Sequence, residues 1–476
     1  MTRRSTNARS TKARSTRRQF GCKCLATAMS TSAMSTIMQL QTTRNVLAQT
    51  GGGGDYRALV CLFLDGGNDS YNMLVPHDQS EYDDYLAARG SQANSGLALE
   101  RDSLLPIADP NGRNFGIHPS MPEMQTLYNA GKLAFVANVG SLIEPTDKSG
   151  YDSESNLPLG LFSHSDLVRH WQTSIPQSRN VATGWGGRLA DILTEPSDYN
   201  DTISMNIALG RVNKFQAAQY ANPYILNSEG AVEREGYFGS WEPDRIFFRT
   251  HEQMLQRDYT NLVKQTYMSQ TFQAINAARD YNAAASGVVL ETEFPETHFA
   301  RDMERVARTI AAREALEHNQ QIFFVSLGGW DHHAGLIRPH ADLLGQVSAG
   351  LKAFYDATVE LEIADKVVTF TASDFARTLA GNGQGSDHGW GGNQLVMGDA
   401  VQGGQLFGTY PASLAPGNTL DVGRGRLIPT LSVDEYAAEL AMWMGIGNNA
   451  ELETILPNIR NFYPSGTTAA PLGMLA

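Results

Sequence analysis

Cysteine is scarce in this sequence, which has only three in 476 residues. Two of them, Cys22 and Cys24, lie close to the N-terminus, and Cys61 stands alone in an apolar run. If the N-terminal segment is removed, no intrachain disulfide can form, and no paired Cys-x-x-Cys motif suggests a metal or redox site. We therefore expect Cys61 to be a buried apolar filler and not a nucleophile.

Basic residues are scarce in most of the chain. The first 54 residues contain nine of the 37 Lys and Arg residues and no Asp or Glu, so the remainder has 28 basic against 50 acidic residues. This acidic balance argues against a nucleic-acid partner, because phosphate-backbone binding needs an excess of positive charge. Walker loops, G-x-G-x-x-G turns, G-x-S-x-G elbows and internal repeats are also absent from the sequence.

The N-terminal segment has the features of an export signal. Arg17 and Arg18 precede Phe20, and a weakly apolar segment follows that is too short and too rich in Ser and Thr to span a membrane. Small residues up to Ala48 predict cleavage there, which makes 1–48 a twin-arginine signal peptide and 49–56 a flexible linker. The alternative is a basic arm that binds nucleic acid. The export signal predicts a periplasmic, cell-surface or extracellular protein.

Apolar runs predict the strands of a parallel sheet. The runs at 57–64, 132–139, 321–327 and 367–371 lack polar alternation, which is typical of strands covered on both faces, and helical segments separate them. We expect an α/β fold with a mostly parallel central sheet and helices on both faces. One domain would span 57–463, with a peripheral helical insertion at 249–285 and a loose tail at 464–476.

Acidic and imidazole side chains follow three of the predicted strands. Because ligand sites in such sheets lie beyond the carboxyl ends of the strands, we expect these side chains to share one site. Carboxylates and imidazoles bind divalent metals, although the same residues also serve as simple turn and cap residues. The candidate metal ligands are Asp65, Asp69, Asp331, His333, Asp374, Asp387 and His388.

A helix is predicted to begin close to Ser163. A Ser at this position can be the N-cap of the helix, or it can be a nucleophile at the positive end of the helix, where backbone N–H groups also hold an anion. The sequence alone leaves both roles open.

Five motifs together resemble a known family. They occur in the order LDGGNDSYNMLVP (Leu64 to Pro76), FGIHPSM (Phe115 to Met121), SHSDLVRHWQTS (Ser163 to Ser174), SLGGWDHH (Ser326 to His333) and SDFARTLAGNGQGSDHG (Ser373 to Gly389). With the twin-arginine leader, they resemble the exported bacterial proteins of the domain-of-unknown-function 1501 family. This family is more remotely similar to the alkaline phosphatase and sulfatase superfamily.

The resemblance implies a chemistry for the predicted site. Ser163 would occupy the place of the nucleophile, Asp331 with His333 would form one ligand pair, and Asp374 with Asp387 and His388 another. One divalent metal, which would be zinc, manganese or calcium, would activate the hydroxyl for hydrolysis of phosphate or sulfate esters. The side chains that would neutralise developing charge are Arg377 and His164.

Two features of the sequence limit this likeness. Phe375 stands where a two-zinc phosphatase has a His, so a second metal is not expected, and no Cys-x-Pro-Ser-Arg motif supports a modified-Cys sulfatase mechanism. The alternative function is a non-catalytic exported scaffold or cell-surface binding protein that keeps the fold. The expected partners are a small anionic ester or a surface polymer, together with an exported partner protein.

Overall fold

A computed structural model describes residues 56–194, 203–231, 241–463 and 469–476. The predicted signal peptide and almost all of the predicted linker lie outside the described residues. Among these residues no helix has the length and apolar character needed to cross a membrane.

The described chain forms the following strands: β1 Arg57–Asp65, β2 Leu74–Pro76, β3 Leu105–Ala108, β4 Asn114–Ile117, β5 Leu133–Gly140, β6 Asn206–Leu209, β7 Tyr224–Asn227, β8 Gly230–Ala231, β9 Gln320–Gly328, β10 Val367–Ser373, β11 Arg377–Gly381, β12 Ser386–His388, β13 Gly392–Met397, β14 Leu406–Gly408 and β15 Leu431–Ser432. Its α-helices are α1 Ser70–Met73, α2 Gln79–Arg89, α3 Pro122–Asn129, α4 Lys148–Asp152, α5 His164–Thr173, α6 Trp185–Leu193, α7 Glu242–Leu255, α8 Leu262–Ser286, α9 His298–Ala311, α10 Ile337–Glu360, α11 Val433–Trp443 and α12 Asn449–Ile455.

The main sheet has ten strands in the order β14-β5-β13-β10-β1-β9-β6-β7-β8, and β15 also pairs with β5. Strand β13 is antiparallel to both of its neighbours, and β8 is antiparallel to β7. The other pairings in this sheet are parallel. The expected mostly parallel central sheet is therefore confirmed.

Alternate residues of β1 enter two different hydrophobic cores. Val60 and Leu62 pack with α9 and α10 on one face of the sheet, whereas Cys61 and Phe63 pack with α5, α6 and α11 on the other. Successive side chains of a strand point to opposite faces, so a strand that is apolar at every position must be covered on both. Cys61 is 2% exposed, and burial raises the pKa of its thiol well above the ordinary value, in line with a role as a core filler.

The three central strands end at the same level. Leu64 of β1 pairs with Ser373 of β10, and Asp65 pairs with Gly328 of β9. The turns that follow these strands therefore meet at one edge of the sheet. This confirms the expectation that the three polar segments share one edge.

Two peripheral regions differ from the expected architecture. The helical insertion consists of two helices, α7 and α8, because Asn261 begins a new helix by accepting a hydrogen bond from the backbone N–H of Lys264. At the C-terminus, Met474 is buried, and the buried carboxylate of Glu439 accepts hydrogen bonds from four successive backbone N–H groups, those of residues 472–475. Residues 472–475 are thus held against α11, whereas we expected a loose tail.

Candidate metal centre

Three segments converge at the carboxyl edge of the sheet: the turn after β9, the hairpin of β11 and β12, and the first turn of α5. They bring together His164, Asp331, His333 and His388, whose ligand atoms all lie within 4.8 Å of one another. We call these residues the four-ligand cluster. Three of them are predicted metal ligands, and the fourth, His164, was expected to act on developing charge.

The Oδ1 atom of Asp331 lies at the centre of the cluster. The Nε2 atoms of His164, His333 and His388 lie 3.3, 3.2 and 3.7 Å from it. The Nε2 atoms of His333 and His388 are 2.8 Å apart. Three imidazole nitrogens and one carboxylate oxygen thus surround a small common space.

Each imidazole is held from behind by an acceptor at its Nδ1 atom. The partners are Asp374 Oδ2 for His164 at 2.7 Å, Asp387 Oδ1 for His333 at 2.9 Å, and the carbonyl oxygen of Phe162 for His388 at 2.6 Å. Because carboxylates and carbonyls only accept, the ring proton of each neutral histidine sits on Nδ1, and the Nε2 lone pair points into the cluster. This is the arrangement by which proteins orient metal-binding histidines.

The inward-facing lone pairs suit a proton or a metal ion between them. Two Nε2 lone pairs 2.8 Å apart repel each other unless a proton or a metal ion lies between them. The buried Nε2 of His164 also has no hydrogen-bond partner among the described residues. A divalent metal satisfies all of these donors at once, so the residues fit a metal ion.

The local charges also favour a bound cation. The hydrogen bond to Asp374 raises the pKa of His164. Partial burial raises the pKa of Asp331, but the hydrogen bond and charge of Arg377, with the neighbouring histidines, outweigh burial and lower it. Asp331 therefore remains a carboxylate that can act as a ligand.

The β1 turn supports the cluster through its backbone. The N–H of Gly66 donates to Asp374 Oδ1 at 2.9 Å, and Asp374 in turn holds His164. A Cβ atom on Gly66 would lie 2.7 Å from the backbone nitrogen of Asp331, and its φ of +125° also suits only glycine. The motif after β1 is therefore important for its glycine, which lets the turns after β1 and β9 approach closely.

The carboxylates of the β1 turn are not part of the four-ligand cluster. Asp69 forms a fully buried ion pair with Arg89 at 2.5 Å. Asp65 pairs with Arg211 at 2.5 Å, with both side chains partly exposed. Each carboxylate already has a cationic partner, so neither fits the predicted role of metal ligand.

Asp374 and Asp387 lie behind the cluster, where they hold histidines. Asp387 also accepts one hydrogen bond from the Asn382 amide and pairs with Arg424 at 2.6 Å. Burial raises the pKa of Asp387, but the hydrogen bonds from Asn382, His333 and Arg424 outweigh this effect and hold the pKa well below its ordinary value. Asp387 is therefore a permanent negative charge behind His333.

Ser163 is the N-cap residue of α5, but its side chain makes no capping hydrogen bond. Its hydroxyl lies 3.1 Å from that of Ser165. The neighbours of Ser163 in the chain both serve the cluster, since the Phe162 carbonyl holds His388 and His164 belongs to it. Ser163 is thus held next to the cluster by both adjacent residues.

Arg377 is fully buried at the first position of β11. Its Nη2 atom donates to Asp331 Oδ1 at 2.5 Å and to the carbonyl oxygen of Trp330 at 3.3 Å. Its Nε and Nη1 atoms have no hydrogen-bond partner among the described residues. Because no part of this side chain reaches the surface, Arg377 acts on the cluster through Asp331.

Several contributors could not be recognised from the sequence. The carbonyl of Phe162 reaches His388 from a residue with a φ of +70°. The sequence does not reveal this backbone conformation, because the residue is not a glycine. Arg424 is half-exposed and comes from a distant turn. Phe375, which we singled out as a departure from two-metal enzymes, packs its ring against His164 and His388 at centroid distances of 4.8 and 4.7 Å.

A model of the family described as "Protein of unknown function (DUF1501)" matches residues 56–418. The chain belongs to this family. The match includes all four members of the cluster and ends before Arg424. A search of the curated proteins finds no match for this DUF1501 protein.

Solved structures similar to this DUF1501 protein include a sulfatase, a lipoteichoic acid synthase and a periplasmic domain. The PsFucS1 sulfatase from Pseudoalteromonas sp. is 11% identical, with 92% of this chain and 76% of that chain covered and a TM-score of 0.36. The lipoteichoic acid synthase LtaP from Listeria monocytogenes is 8% identical (83% and 73% covered, TM-score 0.33). The C-terminal periplasmic domain of EcEptC from Escherichia coli, in complex with Zn, is 9% identical (73% and 74% covered, TM-score 0.29).

Proposed function

We propose that this protein is a metal-dependent hydrolase of phosphate or sulfate esters that is exported by the twin-arginine route. The observation that carries the proposal is the four-ligand cluster, in which three Nε2 lone pairs and the Asp331 carboxylate face one another with each Nδ1 held from behind. Its substrate would be a small anionic ester or a surface polymer. An exported protein partner remains part of the proposal.

His164, Asp331, His333 and His388 would hold one metal ion. Three imidazole nitrogens favour zinc among the three metals considered, and they disfavour calcium, which takes oxygen ligands. When bound, the metal would polarise the ester oxygen and lower the pKa of the attacking hydroxyl. Asp331 and His333 are about half-exposed, so a substrate can reach this side of the cluster.

Ser163 is our candidate nucleophile. It precedes the ten-residue helix α5, whose first backbone N–H groups favour an anion such as a phosphate or sulfate group. Its hydroxyl makes no capping bond but lies 3.1 Å from the hydroxyl of Ser165 and hydrogen-bonds the Asp166 carboxylate, so it would exchange these contacts for a bound ester. The half-exposed guanidinium of Arg424, beside Asp387, would help to neutralise the charge of the ester.

Arg377 and His164 take supporting roles in this proposal. Arg377 keeps Asp331 ionised and oriented from the interior, and His164 serves as a ligand. Asp374 and Asp387 would hold the Nδ1 protons of His164 and His333, so that each ring directs its Nε2 atom into the cluster.

The test is hydrolysis of 4-nitrophenyl phosphate and 4-nitrophenyl sulfate by protein exported through its own signal and purified without chelator. We expect chelator to abolish turnover and zinc or manganese to restore it. Ser163→Ala should lower kcat by two orders of magnitude or more while metal content and Tm stay unchanged, because this Ser makes no capping bond. Ser149→Ala, at an exposed serine of α4, is the matched control and should retain activity.

A metal-loaded protein that hydrolyses neither ester would contradict the hydrolase proposal. In that case the exported scaffold would account for the fold. If Ser163→Ala remained fully active, the assignment of the nucleophile would be wrong.

A further inference from the structure

We propose that the helical hairpin of α7 and α8 is the surface through which two copies of this chain associate. Large apolar side chains are exposed along this hairpin, far more than a solvated surface requires. They are Trp241 (68% exposed), Ile246 (56%), Met254 (43%), Leu262 (79%), Val263 (79%) and Tyr267 (64%).

Three exposed residues of α7 share one side of the helix. Ile246, Thr250 and Met254 are four residues apart, so at about 100° per residue they lie within an arc of about 80°. Phe248 and Leu255 are buried on another side of the same helix. Helix α7 therefore has two apolar sides, of which one faces solvent.

Helix α8 carries an apolar stripe that is interrupted by Gln270. Val263, Tyr267, Ala278, Tyr281 and Ala285 fall within an arc of about 60° at the same helical spacing. In the C-terminal half of the helix this stripe is buried, and the Tyr281 hydroxyl lies 2.7 Å from the hydroxyl of Thr309 in α9. In the N-terminal half, Val263 and Tyr267 of the same stripe are exposed. The side of α8 that packs against the rest of the chain in its C-terminal half is therefore exposed in its N-terminal half.

The charge of the hairpin favours a second copy as the partner. Residues 241–286 contain five basic and five acidic residues, whereas the rest of the chain after residue 54 contains 23 basic and 45 acidic residues. Two copies would repel each other over their acidic surfaces but not at a neutral hairpin. A neutral hairpin also lacks the excess of Lys and Arg that attracts anionic membranes.

The exposed area matches the size of a dimer interface. If an aromatic side chain offers about 200 Å² and an aliphatic one about 90 Å², the six exposed side chains present roughly 500 Å² of apolar area. A standard protein interface buries about 800 Å² on each partner, of which about 60% is apolar. The apolar part of the hairpin is therefore large enough to hold two copies together.

Light scattering coupled to size-exclusion chromatography of the full exported protein tests this proposal. Over a dilution series from about 100 µM downwards, we expect twice the chain mass at the higher concentrations. The Ile246→Glu/Val263→Glu variant should have the mass of a single chain with an unchanged Tm, because both side chains are exposed. The matched control is Val359→Glu on α10, where the exposed Val359 (48%) lies outside the hairpin and the dimer should persist.

A wild-type protein with the mass of one chain at every concentration would overturn the proposal. A dimer that survives Ile246→Glu/Val263→Glu, or that Val359→Glu dissociates equally, would place the interface elsewhere. Capture of the monomer on membranes or by another protein would likewise replace the second copy as the partner of this surface.

Discussion

Two sets of three histidines lie near the carboxyl edge of the main sheet. His164, His333 and His388 belong to the four-ligand cluster and are partly exposed. The second set, His118, His332 and His340, is buried, with ring centroids 5.8 Å apart for His118 and His340 and 6.2 Å for His332 and His340. The adjacent residues His332 and His333 belong to different sets.

The difference between the sets lies in what holds each ring and in how deeply it is buried. The cluster histidines have acceptors at Nδ1 and inward-facing Nε2 atoms. In the interior set, His118 Nδ1 itself accepts a hydrogen bond from the backbone N–H of Ser120 at 3.0 Å, and His340 Nε2 lies 3.0 Å from the side-chain oxygen of Asn68. Burial lowers the pKa of all three interior histidines. A histidine at this edge therefore fits a metal ion only where the fold directs a free Nε2 lone pair into the cluster.

The same contrast applies to the carboxylates, and it gives the largest expected effect. Asp69→Ala should lower the free energy of unfolding by about 3 to 5 kcal/mol, because it leaves the buried cation of Arg89 without a partner. Asp65→Ala removes the partly exposed pair with Arg211 and should cost about 0 to 1 kcal/mol. Urea unfolding of both variants measures these changes. Equal losses in the two variants would show that the buried and exposed pairs do not differ as described.

A smaller effect is expected for the carboxylate behind His333. Asp387→Asn should weaken metal binding roughly 10- to 100-fold, because it removes the negative charge that holds the Nδ1 proton. Competition with a chromophoric chelator gives the affinity. Asp65→Asn is the matched control, and its metal affinity should equal that of the wild type. If the Asp387→Asn protein bound metal with wild-type affinity, this carboxylate would not contribute to metal binding.

The smallest effect is the pH dependence that the interior set confers. Burial lowers the pKa of His118 to about 4 in the folded protein, against about 6.5 when unfolded. Because the unfolded chain then binds more protons between these values, the stabilisation is complete above about pH 6.5 and is lost as the pH falls towards 4. At pH 5 the loss from His118 is at most about 2 kcal/mol.

Urea midpoints at pH 7 and pH 5 measure this loss. The drop in midpoint should be smaller in His118→Asn, whose amide oxygen can still accept from Ser120. A His118→Asn protein that loses as much stability as the wild type would mean that this histidine does not titrate on unfolding.

Much of the fold could be predicted because apolar runs report burial directly. The runs that became β1, β5, β9 and β10 were recognised, and so was the shared edge at their carboxyl ends. The position of β5, which β10 and β13 separate from β1, could not be predicted, because strand order depends on contacts between distant segments.

The site was only partly predictable for a related reason. Sequence shows which residue types follow a strand but not which way each side chain turns or which charge it meets. Asp69 meets Arg89, which is 20 residues away, and His388 meets a backbone carbonyl, so neither partner could be identified from residue type. His164 was recognised as functional but not as a member of the cluster, since its segment is far from the others in the chain.

The central claim is that the four-ligand cluster binds one metal ion, and elemental analysis tests it most directly. The protein is purified without chelator, alongside the Asp331→Ala/His333→Ala variant. Our account predicts close to one equivalent of metal in the wild type and its loss in the variant. Absence of metal from both proteins, with equal thermal stability, would contradict the account.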